Sequence, residues 1–229
     1  MNNHVTVLEI DGNALEHNLH YLVKAFGYGS DCVQVADFLK DKVDYFAVAY
    51  ASEGIALREA GIKTPILVLH PQIPTLQAIV AYQLEPNLYC FKVFNAFLEL
   101  AVEAALVDYP IHLKFNTGLN RLGFKHADIP KILSCLKETN HIKVQSLFSH
   151  LAASEDLNER DFTTNQIANF TFVAQEFYKN LSYEPMLHVL NTSGVVNYSD
   201  AQFDMVRIGI GLYGFGNDAK ETSQHKKKR

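Results

Sequence analysis

The sequence predicts an α/β protein whose parallel strands alternate with covering helices, the pattern of a (β/α)8 TIM-type barrel. Short runs rich in Val, Ile and Leu are followed by stretches of helical periodicity, and the runs number eight. The runs read as apolar throughout, which suits a parallel sheet covered on both faces. The residues with most chemistry to offer, Lys24, Arg121, His150, Asn191 and Gly209, fall at or just beyond the C-terminal ends of those runs. That is the end of a barrel at which loops build sites. A doubly wound open sheet shows the same alternation, and periodicity does not separate the two.

In chain order the strand candidates are residues 22–25, 45–49, 65–69, 85–89, 111–116, 144–149, 187–191 and 205–209. Residues 6–10 read as a further short strand ahead of them. Helical stretches lie between, at 31–40, 52–60, 73–82, 94–106, 128–138 and 163–179. The last has the clearest amphipathic spacing, with Ile167, Phe170, Val173, Ala174 and Phe177 three or four residues apart. No internal repeat and no low-complexity tract interrupts the series.

At 229 residues and 48% apolar content the chain can bury a sizeable core as one domain. Cys32, Cys90 and Cys135 are odd in number, scattered and without a CxxC pair. A disulfide framework and a metal site are therefore not expected, and a reducing compartment is. The first residues show no basic start leading into an apolar stretch. No run approaches the ~20 apolar residues of a membrane helix. A cytoplasmic protein with no membrane partner is expected. The net charge is −5, and without the four cations of residues 226–229 the body carries −9. Phosphate backbones need clustered cations, so no nucleic-acid partner is expected either. Residues 217–229 read as a basic, solvated tail after a domain spanning 1–216.

Several of the strand-end residues suit one cofactor. Lys24, in Val-Lys-Ala-Phe-Gly-Tyr-Gly, offers an amine that partial desolvation would free for attack on an aldehyde. Asn191-Thr192-Ser193 follows the seventh run, and Gly209-Ile210-Gly211 follows the eighth. Barrels commonly bind phosphate in those two loops, through hydroxyls and bare backbone N–H groups. Taken alone, Asn191 also reads as a helix cap. Arg207 lies two residues before Gly209 and shares its face of the strand. A guanidinium there stays charged and cannot hand on its proton. Amine, cations, hydroxyls and backbone are the parts that hold pyridoxal 5′-phosphate.

Lys24 with Ala25, Tyr28 and Gly29, the run Asn-Thr-Gly-Leu-Asn-Arg-Leu-Gly-Phe around Arg121, and Val-Arg-Ile-Gly-Ile-Gly from Val206 resemble alanine racemase over nearly the whole chain. The resemblance implies a pyridoxal-phosphate-binding barrel and interconversion of L- and D-alanine, supplying D-alanine for the cell wall. It makes Lys24 the Schiff-base lysine and Tyr28, Asn191, Thr192, Ser193, Gly209 and Ile210 cofactor-binding residues. By the same resemblance Arg207 faces the pyridine nitrogen and His150 hydrogen-bonds Arg207. Arg121 reaches the phenolic oxygen and the substrate carboxylate, and Lys114 matches a lysine that some members carbamylate. The family works as a homodimer. The other function class the chain suits is a non-catalytic barrel resembling the pyridoxal-phosphate homeostasis proteins.

Two departures from the family pattern carry their own expectations. Only residues 20–22 separate Asn13–Leu19 from Val23-Lys24, where the family places the rest of a helix, a loop and most of a strand. A helix and a full strand do not fit that space, so a stunted or displaced first strand is expected. The family also continues, after Gly-Leu-Tyr-Gly, into a β-rich domain whose tyrosine is the second acid/base. No residue of this sequence matches that tyrosine, and low turnover of the chain alone is expected.

Overall fold

The structure, a computed structural model, describes residues 31–213 and the backbone of Val23–Lys24. The short strand read at 6–10, Tyr28 and the basic tail lie outside the described residues. Seven strands pair side by side in sequence order: β1 (Val23–Lys24), β2 (Phe46–Val48), β3 (Ile66–Val68), β4 (Glu85–Leu88), β5 (Tyr109–Lys114), β6 (Ile142–Phe148) and β7 (Met186–His188). Every pairing is parallel. Parallel neighbours need a crossover connection, and crossovers of one hand put the helices on one face of the sheet. Those connections hold α1 (Cys32–Leu39), α2 (Ala51–Glu59), α3 (Leu76–Ala81), α4 (Phe91–Glu103), α5 (Ile129–Lys137) and α6 (Arg160–Asn180), with a short α7 (Thr192–Asn197) after β7.

The helices start where side chains supply acceptors for their free N–H groups. Asp31 caps α1 by accepting from Val33 N and Gln34 N, and Glu53 accepts from Ala49 N and Tyr50 N ahead of α2. The helix expected at 73–82 is divided. Pro74 sits in a 3-10 turn (Ile73–Thr75), and α3 continues from it, as suits a ring that fits only a first turn.

One face of the sheet and the helices form a single apolar layer. Phe46, Val48, Ile66, Val68, Leu88, Ile111, Leu113, Leu147 and Leu187 from the strands meet Leu39, Leu57, Ile79, Phe94, Phe97, Ile132, Phe170 and Phe177 from the helices. The other face is different. Tyr45, Ala47 and Leu67 make a small cluster of their own, with Leu69, Met186 and Met205 packed against it. Met186 begins β7 and Met205 follows it in the chain, whereas Tyr45, Ala47, Leu67 and Leu69 come from around β2 and β3, so the two sides of the strand order meet and the sheet is curled. On β4 to β7 the inner face is polar: Glu85, Asn87, His112, Lys114, Ser146 and His188.

Two sequence expectations are corrected here. The strands are not all apolar on both faces. β2 and β3 are, but β4 to β7 carry polar side chains at alternate positions because the inner face there is hydrogen-bonded. Segment 205–209 does not form a ladder strand. It runs beside β7 through Asp204 N and Met205 N to Leu187 O and Arg207 N to Leu190 O, with bonds too few and too irregular for a strand. At the start of the sheet β1 pairs in register, Val23 with Phe46 and Lys24 with Ala47, and the residues on either side of it, where the stunted strand is expected, lie outside the described residues.

β6 carries one extra residue. Its register to β5 shifts between Ile111, opposite Val144, and His112, opposite Ser146. Gln145 is the additional residue, and a bulge of this kind re-aims the side chains beyond it. Val144 and Leu147 both pack in the outer layer, which leaves Ser146 and Phe148 to the interior.

Candidate active site

The strand ends bring Arg207 to the centre of a dense set of acceptors. Its Nη1 donates to His188 O (3.1 Å) and contacts His188 Nδ1. Its Nη2 donates to Ser149 O (2.6 Å) and Val189 O (3.2 Å), and lies 3.5 Å from His150 Nδ1. The guanidinium also stands over the Phe148 ring, 5.3 Å from its centroid. His188 stacks on that same ring, with centroids 4.7 Å apart and planes 6° from parallel. Burial alone pulls Arg207 down to about 9, so it is still protonated near neutrality. His188 is held well below its ordinary range, first by burial, then by the positive charge of Arg207, then by His112. A fully buried neutral imidazole beside a guanidinium is the result.

The loops after β7 and after segment 205–209 close on each other. Thr192 Oγ1 accepts from Gly209 N at 3.2 Å and from Gly211 N at 3.4 Å. A Cβ at Gly211 would lie 2.3 Å from Thr192 Cγ2, so only glycine permits this approach. Asn191 is the cap of α7, accepting from Gly194 N (3.0 Å), and its Oδ1 also accepts from Ser154 Oγ (2.7 Å). Ser193 is buried in the first turn, and Ile210 opens a partly exposed 3-10 turn (Ile210–Tyr213).

Arg121 belongs to a separate unit. The loop after β5 returns at Phe124, whose N donates to Lys114 O while Asn116 N donates to Phe124 O. Asn116 Oδ1 holds the loop from inside, accepting from Gly118 N and Asn120 N. Gly123, at φ +133°, lies where a Cβ would sit 2.6 Å from Asn116 N. Arg121 is exposed at the tip of this loop and makes no hydrogen bond to the Arg207 cluster. Lys114 ends β5, buried, 5.8 Å from the Phe148 ring. Lys24 closes β1 beside Ala47. Its side chain, like all of Tyr28, falls outside the described residues. Among the described residues no group of three His, Cys, Asp or Glu could hold a metal ion. No helix among them is long and apolar enough to cross a membrane.

The profile described as "Alanine racemase, N-terminal domain" matches residues 8–216. This chain belongs to that family. Among similar sequences, the alanine racemase of Thermodesulfovibrio yellowstonii is 36% identical over 196 residues, covering 85% of this chain and 52% of the relative. That of Synechocystis sp. is 32% identical over 225 residues, covering 90% and 59%. The chain thus spans little more than half the length of these alanine racemases. In structure it is similar to the alanine racemase of Clostridium difficile 630 solved in complex with cycloserine. The TM-score is 0.81 at 28% identity, covering 90% of this chain and 59% of that one. The α/β architecture is accordingly the barrel fold of the alanine racemase N-terminal domain.

Within this alanine racemase domain, sequence reading missed the partner that Arg207 holds most closely. That partner is His188, with Ser146, His112, Glu85 and Tyr45 leading away from it through the interior. A signal was present: Glu85 and Asn87 on β4, and His112 and Lys114 on β5, stand at alternate positions, and His188 is the one polar residue of β7.

Proposed function

We propose that residues 8–216 bind pyridoxal 5′-phosphate at the C-terminal ends of the strands and interconvert L- and D-alanine, supplying D-alanine for peptidoglycan. The observation that carries this reading is the setting of Arg207: a buried guanidinium held by carbonyls and imidazole nitrogens. None of its partners among the described residues is a carboxylate. Arg207 therefore offers a ring nitrogen a hydrogen bond and keeps its proton. At the other end, Thr192 Oγ1 accepts from Gly209 N and Gly211 N and keeps its own O–H as a donor, with no carboxylate among these groups, which fits a phosphate. Both ends of the cofactor are thus accommodated by residues present.

Pyridoxal 5′-phosphate, when bound, draws electron density from the Cα–H bond of an attached amino acid. In this reading Lys24 provides the amine for the aldehyde and holds or releases a proton on one face of Cα. Tyr28, Asn191, Thr192, Ser193, Gly209 and Ile210 secure the phosphate, His150 and His188 orient Arg207, and Arg121 receives the substrate carboxylate. Segment 205–209 runs beside β7 and closes the barrel without forming a ladder strand of its own. Racemisation needs a second acid/base on the opposite face, and no residue here resembles the family's tyrosine.

Adding pyridoxal 5′-phosphate, reducing with borohydride and mapping the adduct by mass spectrometry tests the reading. A reduced adduct on Lys24, absent from Lys24→Ala, is expected, with slow or no production of D-alanine by the chain alone. No adduct, or one equally abundant in Lys24→Ala, would overturn it.

A further inference from the structure

The inner face of the sheet carries a continuous chain of hydrogen bonds whose direction is fixed at one end. Arg207 can only donate. Its Nη1 faces His188 Nδ1, so that nitrogen is bare and the proton of the neutral ring sits on Nε2. His188 Nε2 lies 2.8 Å from Ser146 Oγ, which accepts. The Ser146 proton is then available to His112 Nδ1 at 2.6 Å. His112 in turn carries its proton on Nε2 and donates to Glu85 Oε2 at 2.8 Å. Tyr45 OH donates to the same oxygen at 3.1 Å. Each buried proton has an acceptor and each acceptor a proton, with a guanidinium at one end and a carboxylate at the other.

The register explains how the chain climbs. His112 is opposite both Asn87 and Ser146, Glu85 lies two residues below Asn87, and His188 is opposite Phe148, two residues above Ser146. The steps from Glu85 to His112 and from Ser146 to His188 therefore move toward the strand ends, while the step from His112 to Ser146 stays level. The links His112, Ser146 and His188 are fully buried, whereas the Glu85 side chain is 12% exposed. Glu85 lines an open cleft of about 720 Å³ at the opposite end of the strands, together with Arg58, Lys63 and Tyr109.

We propose that Glu85, His112 and Ser146 are positioning residues: through this one-way relay, whose direction Arg207 sets, they anchor the neutral His188 ring and so hold the Arg207 guanidinium in place toward the cofactor ring. The role of Arg207 rests on the function proposed above; the relay does not. Its test begins on the full chain without added cofactor, labelled with ¹⁵N-histidine and observed by long-range ¹H–¹⁵N NMR near pH 7.5. His188→Gln and His112→Gln assign the two rings. Both rings are expected as neutral Nε2–H tautomers. Ser146→Ala should turn His112 into a mixture of tautomers, and Ser146→Thr should restore the single one. Glu85→Gln, which keeps an acceptor oxygen and guards against a misfolded Ser146→Ala, should move the His112 Nε2 proton upfield. With pyridoxal 5′-phosphate added, Ser146→Ala should shift the absorbance maximum of the bound cofactor, and Ser146→Thr should return it. Protons on Nδ1 in the parent chain would overturn the relay, as would ring signals unchanged by Ser146→Ala and Glu85→Gln. Failure of the cofactor to attach to Lys24 would instead overturn the proposed function, and the relay would still stand or fall on the tautomers.

Discussion

The two halves of the sheet solve the same packing problem with different chemistry. β2 and β3 are apolar on both faces: Phe46, Val48, Ile66 and Val68 meet the helices, while Ala47 and Leu67 fill the interior with Tyr45. β4 to β7 are apolar toward the helices and mixed inward, where Phe148 and Met186 stand among polar side chains. Inward they present Glu85, His112, Ser146 and His188, each meeting a partner on a neighbouring strand. Burial on the first half needs only area and shape, and is tolerant of which apolar residue supplies them. The second half needs each donor matched to an acceptor, because an unmatched buried group costs more than the bond contributes when made. The polar half is also the half that ends at Arg207.

Four experiments would break or sharpen that contrast. Phe97→Ala, in the fully buried layer between α4 and the sheet, should cost about 3–5 kcal/mol in urea unfolding, since both transfer energy and a cavity contribute. A loss under about 1 kcal/mol would show that the apolar layer can collapse around the gap. Ser146→Ala removes a single oxygen, yet it strips an acceptor from His188 and a donor from His112. A cost of about 1–3 kcal/mol follows; a neutral result would mean that water enters the interior and meets the same groups.

Gly211→Ala acts at the boundary between fold and site. The new Cβ meets Thr192 Cγ2, and relieving that contact costs about 1–3 kcal/mol of local strain. Phosphate-end affinity, followed by a titration of pyridoxal 5′-phosphate, should fall by about tenfold or more, while Tyr28→Phe would test the phosphate end independently. Unchanged affinity would place the phosphate elsewhere.

The smallest effect is a pH dependence. His188 is held below its ordinary range when folded, so below about pH 6.5 the unfolded chain binds a proton that the folded chain refuses. Stability from this group is complete above that value and is lost as pH falls through it, by up to about 1.4 kcal/mol per pH unit. Relative to His188→Gln, the parent chain should therefore lose urea resistance faster between about pH 6.5 and 5. Parallel curves for the two would assign the acid sensitivity to other groups.

Much of the site was legible as positions along the chain. The runs read at 22–25, 111–116, 144–149 and 187–191 overlap β1, β5, β6 and β7, and Asn191 caps a helix as its side chain allows. Local signals were enough because strand, cap and turn preferences act over a few residues. The bulge at Gln145 was not legible, since a single extra residue changes no local preference and shows only against the register of β5. Nor was the 3-10 start of α3.

By itself the sequence determined the alternation of strands and helices and the order in which cofactor-type residues arrive at one end of the sheet. Both follow from periodicity and from the direction of a parallel strand. Only the tertiary structure decided that Arg207 is held by His188 as well as His150, and that Glu85, His112 and Ser146 line up behind it. Those partners are 19, 34 or 42 residues apart in the chain. A hydrogen bond forms only within about 3 Å, and nothing short of the curled sheet brings residues so distant within that reach.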